Sequence, residues 1–378
     1  MNSSAELADI FPGVSKEAWL DKIRQDLKGR EPDSLYWEVE PGIVADPFAH
    51  ADDFLDLPPS PPQGLLQWAI GEKILIGEDL VVANRQIMEA LEGGAEALLL
   101  KATRLLDAEA LDLLLKGVHL NYIRLYIGGE GVAHGPAAWG AALATLARMR
   151  DLSPDSLQGG IAWDPTADTL PDWAYVADYL AYMQETLPRF DAFGLRESAD
   201  GLYSARSAAL LARAHTLLVE LSRRGASVEA ALARLGLTQL VGVSYFAEIA
   251  RLRALRLLWP QWRDKCWGLR QEPPLVSAEF AQQAYGDEPF QNLIKTATIA
   301  MSAILGGAGC VYARPYDDGR PGDYPPELGR RMARNAQHLL RMESGFEALE
   351  DPVSGAYFLE KLTRQFAEKI WSNFQQLT

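Results

Sequence analysis

Cysteine is nearly absent: only Cys266 and Cys310 occur in 378 residues. With no C-x-x-C spacing, neither a disulfide framework nor a zinc cage is expected. Histidine is scarce too. His50, His119, His134, His215 and His338 stand far apart, with no H-x-H or H-E-x-x-H spacing to hold a metal. Runs of lysine and arginine are missing, and the formal net charge is −15. Such a chain repels phosphate backbones, which excludes nucleic acid as an expected partner. No apolar run approaches the roughly 18 residues of a membrane span. The opening MNSSAELADIFPG has neither a basic stretch nor an apolar one, so a cytoplasmic location away from any membrane is the expectation. There is no G-x-S-x-G elbow and no P-loop. The glycine-rich LGGAGC at 305–310 precedes a strand instead of following one, which argues against a dinucleotide-binding turn.

What is present is an ordinary globular composition, 48% hydrophobic and 23% charged, able to bury a sizeable core. Residues 14–29 read as a short amphipathic helix: Ser15 can cap it, Trp19, Ile23 and Leu27 form one stripe, and Gly29 ends it. LPPSPPQG at 57–64 is a stiff linker, so residues 1–64 are assigned to an arm whose apolar stripe is expected to meet a partner chain. Beyond residue 80, short apolar runs alternate with long helical patterns. ALLLKA (97–102), YIRLYIGG (122–129), LQGGIAWD (157–164), FDAFGLRE (190–197), CWGLR (266–270) and GCVYARP (309–315) read as strands. Helical patterns cover Val81–Glu92, Asp172–Leu187, Ser204–Arg223, Tyr245–Trp259, Asn292–Leu305, Pro326–Met342 and Tyr357–Leu377. Alternation of this kind implies a parallel sheet. So many units favour an α/β fold of the (β/α)8 TIM-barrel type, assigned to residues 65–350, with residues 351–378 as a C-terminal helix packed on it.

Barrel chemistry sits where strands end, and Asp164, Glu197 and Glu279 fall near such ends. A hydrolase using two carboxylates is one reading, although strand-end acids commonly cap a helix or pair with a neighbour. The longer patterns say more. YFAEIARLRALRLLW (245–259), NLIKTATIAMSAILGGAG (292–309) and RMARNAQHLLRMESGFEALEDPVSGAYFLEKLT (331–363) resemble the barrel domain of methylmalonyl-CoA mutases, adenosylcobalamin-dependent isomerases. The N-terminal FPGVSKEAWLDKIRQDLKG, followed by Trp37, is similar to the opening of the small subunit of heterodimeric members.

The resemblance implies a barrel through which coenzyme A threads, under a corrin carried by a separate flavodoxin-like domain with a D-x-H-x-x-G motif. That motif does not occur here, so this chain is expected to lack a cobalamin-binding domain and to bind no cofactor alone. The family's R-P-W-T-I-R-Q-Y stretch becomes LQWAIGEK (66–73), which puts Leu66 and Gly71 at arginine positions and Lys73 at the tyrosine position. The histidine of S-G-Y-H-M-Q-E-A-G is replaced by Arg196, and the adenosyl-contacting strand carries Gly309, Arg314 and Asp318 at polar-contact positions. Strand residues Leu99, Tyr122, Leu125, Tyr126, Trp163, Phe193 and Tyr312 are bulky, so several are expected to fill the axis whichever alternation holds. The expectation is therefore a non-catalytic subunit with no metal site, paired with a cobalamin-binding large subunit that isomerises methylmalonyl-CoA and succinyl-CoA, or a homodimer where no such partner exists. The alternative is an active substrate half served by a separate cobalamin chain, with Lys73, Arg196 and Asp318 in changed roles.

Overall fold

The computed structural model describes residues 13–54, 66–133, 135–167, 170–270, 275–318 and 325–378. The linker expected at 57–64 and His134 lie outside them. An N-terminal hairpin, β1 (Trp37–Glu40) with β2 (Ile43–Ala45), stands apart from one parallel sheet of β3 (Ala69–Ile76), β4 (Ala97–Ala102), β5 (Arg124–Gly128), β6 (Gln158–Ile161), β7 (Phe190–Asp191), β8 (Phe193–Arg196), β9 (Leu235–Val241), β10 (Val276–Phe280) and β11 (Cys310–Tyr312). The sheet runs β7-β6-β5-β4-β3-β11-β10-β9-β8. Because β7 and β8 are consecutive segments of one stave, β7 paired with β6 and β8 with β9, the sheet closes into eight staves, a TIM barrel. The stave breaks at Ala192, where the N–H groups of both Ala192 and Phe193 donate to the Arg234 carbonyl (2.9 and 3.1 Å).

Helices cover the outside as the periodicity predicts, with one long exception. The helix expected to stop at Trp259 runs on through Pro260 to Trp267 and ends at Gly268 in the left-handed conformation (φ 68°). CWGLR at 266–270 is therefore the end of that helix and no strand; Trp259 and Trp262 bury its last turns. The staves that the sequence pattern does not mark are β3, β9 and β10. The helix Tyr357–Leu377 packs against Tyr245–Trp267 and Tyr203–Arg223, with Leu362, Phe366, Ile370 and Phe374 buried at i, i+4 spacing. No helix among the described residues is long and apolar enough to cross a membrane.

The N-terminal helix Lys16–Asp26 is capped by Ser15 as expected, and its stripe is half-buried, with Trp19 edge-on to Phe48 (5.7 Å). The segment that follows lies on the barrel's own helices: Glu40 accepts from the Ser204 N–H, Gln365 bonds both backbone groups of Val44, and Lys361 reaches Asp46 at 2.6 Å.

Candidate functional site: the barrel axis

Parallel strands covered on both faces bury all their side chains, so apolarity alone cannot say which residue points inward. Three of the seven bulky candidates do. Leu99, Tyr126 and Tyr312, with Leu275, Ala69, Ala97 and Cys310, form a separate apolar cluster within the sheet. The other four do not fill the axis. Leu125 belongs to the outer core. Trp163 and Phe193 pack on Tyr179 of the helix Trp173–Thr186 (ring centroids 5.1 and 5.9 Å), and Tyr122 lies ahead of β5, 80% exposed. Glycine makes room for the plug: a Cβ on Gly71 would stand 2.6 Å from the Tyr312 ring.

The plug divides the axis. At the N-terminal end lies a vestibule of about 570 Å3 lined by Trp68, Glu96, Tyr122, Arg124 and Arg341. Toward the C-terminal end lies a chamber of about 70 Å3 whose walls include Lys101, Asp191, Arg196, Thr238, Ser277 and Glu279. Leu275 borders both.

The chamber's charges belong to its mouth and its depth. Glu279, 3% exposed, takes two hydrogen bonds from Arg196 (3.2 and 3.3 Å) and lies 3.7 Å from the Lys73 ammonium. Burial opposes its ionisation, but Arg196, Lys101 and Lys73 together outweigh it and hold the carboxyl below its ordinary range. Lys101 has no hydrogen bond or ion pair among the described residues. Burial lowers its pKa, Glu279 opposes that, and Arg196 and Lys73 add to it. Deeper in, burial pushes Asp191 up to about 7 against the pull of Arg234 and Arg124. Cys310 offers no nucleophile, since burial raises its thiol to about 12.

The sequence-derived positions scatter. Lys73 and Arg196 meet at the mouth, and Gly71 lies lower on the same stave under Tyr312. Leu66 is buried in the core beside Trp68 and bonds the Leu349 carbonyl. Gly309 opens β11 and borders the vestibule at the opposite end of the axis from the mouth. Arg314 and Asp318 pair with each other in a loop near Tyr285 and Asn292.

The carboxylates expected for a hydrolase do not converge. Asp164 turns its own loop through Thr166 and pairs with Arg213 (2.5 Å). Glu197 faces outward, 1% exposed and bound by Arg251, Ser207 and the Leu240 N–H. Only Glu279 borders the chamber. Glu72, next to Lys73, is no pocket residue: it lies outside the sheet, 6% exposed, bonded to Arg334 and 3.4 Å from Arg330 of the helix Pro326–Met342. Lys101 and Asp191 were missed as site residues, though a lone charge inside ALLLKA and FDAF was the available signal.

Cobalamin, the group the fold family implies, finds no fit among the described residues. His50 caps the turn at Ala51–Asp53, His119 lies against Tyr122, His215 packs among Trp262, Trp267 and Phe374, and His338 bonds the Gly93 carbonyl. None of these four borders the chamber, and no described group of three His, Cys, Asp or Glu residues could hold a metal.

Comparison with known proteins meets this geometry from the other side. The chain is 27% identical to the methylmalonyl-CoA mutase small subunit of Porphyromonas gingivalis, over 98% of its own length and 63% of that protein. It is 26% identical to the probable methylmalonyl-CoA mutase small subunit of Mycobacterium tuberculosis (strain ATCC 25618 / H37Rv), over 82% and 52% of the two chains. It is 24% identical to the mitochondrial methylmalonyl-CoA mutase of Mus musculus, over 93% and 53%. It thus spans less than two thirds of each of these relatives. The family model for methylmalonyl-CoA mutase matches residues 108–378, most of the barrel and the helix that closes it, and the chain belongs to the methylmalonyl-CoA mutase family.

Proposed function

We propose that this chain is a mutase-family barrel subunit without chemistry of its own, which assembles with a cobalamin-binding large subunit of the same family. The observation that carries the reading is the plugged axis. A coenzyme A thioester threaded from one mouth to the other would have to displace Leu99, Tyr126, Leu275 and Tyr312, and the closeness of Tyr312 to Gly71 and of Leu275 to Gly309 leaves no slack. At the positions where the resemblance puts substrate contacts stand Leu66 and Gly71, which cannot hold an anion, and Lys73 and Arg196, which are occupied with Glu279. Names that include "small subunit" among the relatives support the same role. Adenosylcobalamin would then be held by the partner.

The test is calorimetry of the purified chain with methylmalonyl-CoA and with adenosylcobalamin, followed by size-exclusion chromatography of the chain mixed with a cobalamin-binding large subunit. No heat from either ligand and co-elution with the large chain are expected. Stoichiometric micromolar binding of the thioester would overturn the reading.

A further inference from the structure

The chamber at the C-terminal end of the axis has an electrostatic imbalance that the non-catalytic reading does not use. Three cations, Lys73, Lys101 and Arg196, converge around a single carboxylate, Glu279. Arg196 spends two N–H groups on it and Lys73 stands at 3.7 Å. Lys101 is left without a hydrogen bond or a close ion pair among the described residues and has only the longer-range pull of Glu279. It projects toward Gly128, whose Cβ, if present, would lie 3.3 Å from the ammonium. A partly desolvated ammonium is costly unless an opposite charge reaches it. The other acid of the chamber directs its charge elsewhere: Asp191, raised by burial to about 7, is packed between Gly160 and Gly236 and faces Arg124 and Arg234.

Neutral donors line the same space. Ser277 and Thr238 border it, and the Tyr312 ring closes its floor, its hydroxyl beside the Cys310 thiol. The space itself, about 70 Å3, accommodates an oxyanion group and little more. We infer that the chamber is a binding site for one small oxyanion, a carboxylate or a phosphate, held by Lys101 with Lys73 at the rim and with the hydroxyls of Ser277 and Thr238 as donors. Arg196 and Glu279 form the fixed pair that shapes the wall. The site needs no thioester and no cobalamin, so it stands whether or not the chain pairs with a large subunit.

Orthophosphate and acetate serve as probes, each titrated calorimetrically into the full chain in a zwitterionic buffer. Saturable binding of one equivalent is expected from at least one of them, and which one distinguishes a phosphoryl from a carboxylate ligand. Lys101→Met keeps the side-chain volume and should weaken that binding at least tenfold. Lys73→Met, at a 43% exposed side chain, should weaken it severalfold with an unchanged melting temperature, which keeps the test valid if the Lys101 variant fails to fold. Absence of saturable heat from both probes would sink the proposal, as would wild-type affinity in the Lys73 variant or in a folded Lys101 variant.

Discussion

The two faces of the barrel wall differ in what they have kept. On the outer face, the long stretches that carry the family resemblance supply buried ion pairs. Arg251, fully buried, bonds Glu197 (2.7 Å), Glu248 (2.6 Å) and the Leu240 carbonyl (2.8 Å). Arg253 takes both oxygens of Asp351 (2.7 and 2.8 Å) and reaches Glu360 (3.3 Å), tying the helix Tyr245–Trp267 to the segment leading into Tyr357–Leu377. Arg334 holds Glu72, and Arg341 holds Glu96 while stacking over Trp68 (5.0 Å). On the inner face the strands carry Gly71, Lys73 and Arg196, at positions where the resemblance implies substrate contacts, with Lys101 in the same chamber. Adjacent residues can therefore have opposite fates: Glu197 is locked under the helices while Arg196 lines the chamber. In these stretches the residues that carry the resemblance are the ones that hold the scaffold together.

That comparison can be broken at its strongest point first. Arg251→Met leaves Glu197 and Glu248 buried without their shared cation and should cost about 3–5 kcal/mol in denaturant unfolding. A loss below 1 kcal/mol would mean that the outer network is dispensable.

Next comes pH on the inner face. The folded pKa of Asp191, about 7, lies above the ordinary carboxyl value of 3.8. The native state therefore binds this proton more tightly than the unfolded chain. The stability it contributes is complete below about pH 4 and is lost as pH rises toward 7. Asp191→Asn removes the dependence, so the variant should gain on the wild type between pH 4 and 7 by roughly 3 kcal/mol. Parallel stability curves for the two proteins would refute the assignment.

The smallest effects separate neighbours on one strand. Glu72→Ala strands a buried guanidinium and should destabilise by about 2 kcal/mol. Lys73→Ala should fall within about 0.5 kcal/mol. Thermal melts showing equal losses would erase the distinction between the faces at this stave.

Much of the fold was legible because helices announce themselves by period. Tyr203–Arg223 and Pro289–Leu305 lie within a few residues of their expected limits. The misreadings have physical causes. Pro260 signals a stop, yet the helix absorbs it because Trp259 and Trp262 are buried on either side. LGLTQLV and VSAEF were overlooked because inward glycine, threonine and serine dilute their apolar pattern. The site was less legible still. Alternation fixes which residues share a face but not which face is the axis, so Leu125 and Tyr126 were indistinguishable until the helices were in place. A lone charge within an apolar strand is the better guide, and applied to ALLLKA and FDAF it would have pointed to Lys101 and Asp191.

The break at Ala192 sets the parity of its stave. In an uninterrupted strand, residues 191 and 196 have opposite parity and would face opposite sides. Here Ala192 and Phe193 both turn outward against a single carbonyl of Arg234, a bulge that adds one residue to the count. Asp191 below it and Gly194 and Arg196 above it consequently share the chamber. Were the same residues drawn out into one unbroken strand from Asp191, the phase beyond it would reverse: Glu197 would swing into the axis, Arg196 would be driven under the helices in place of the partner of Arg251, and both faces of the wall would fail together, whereas deleting Ala192 would restore plain alternation and leave Arg196 in the chamber.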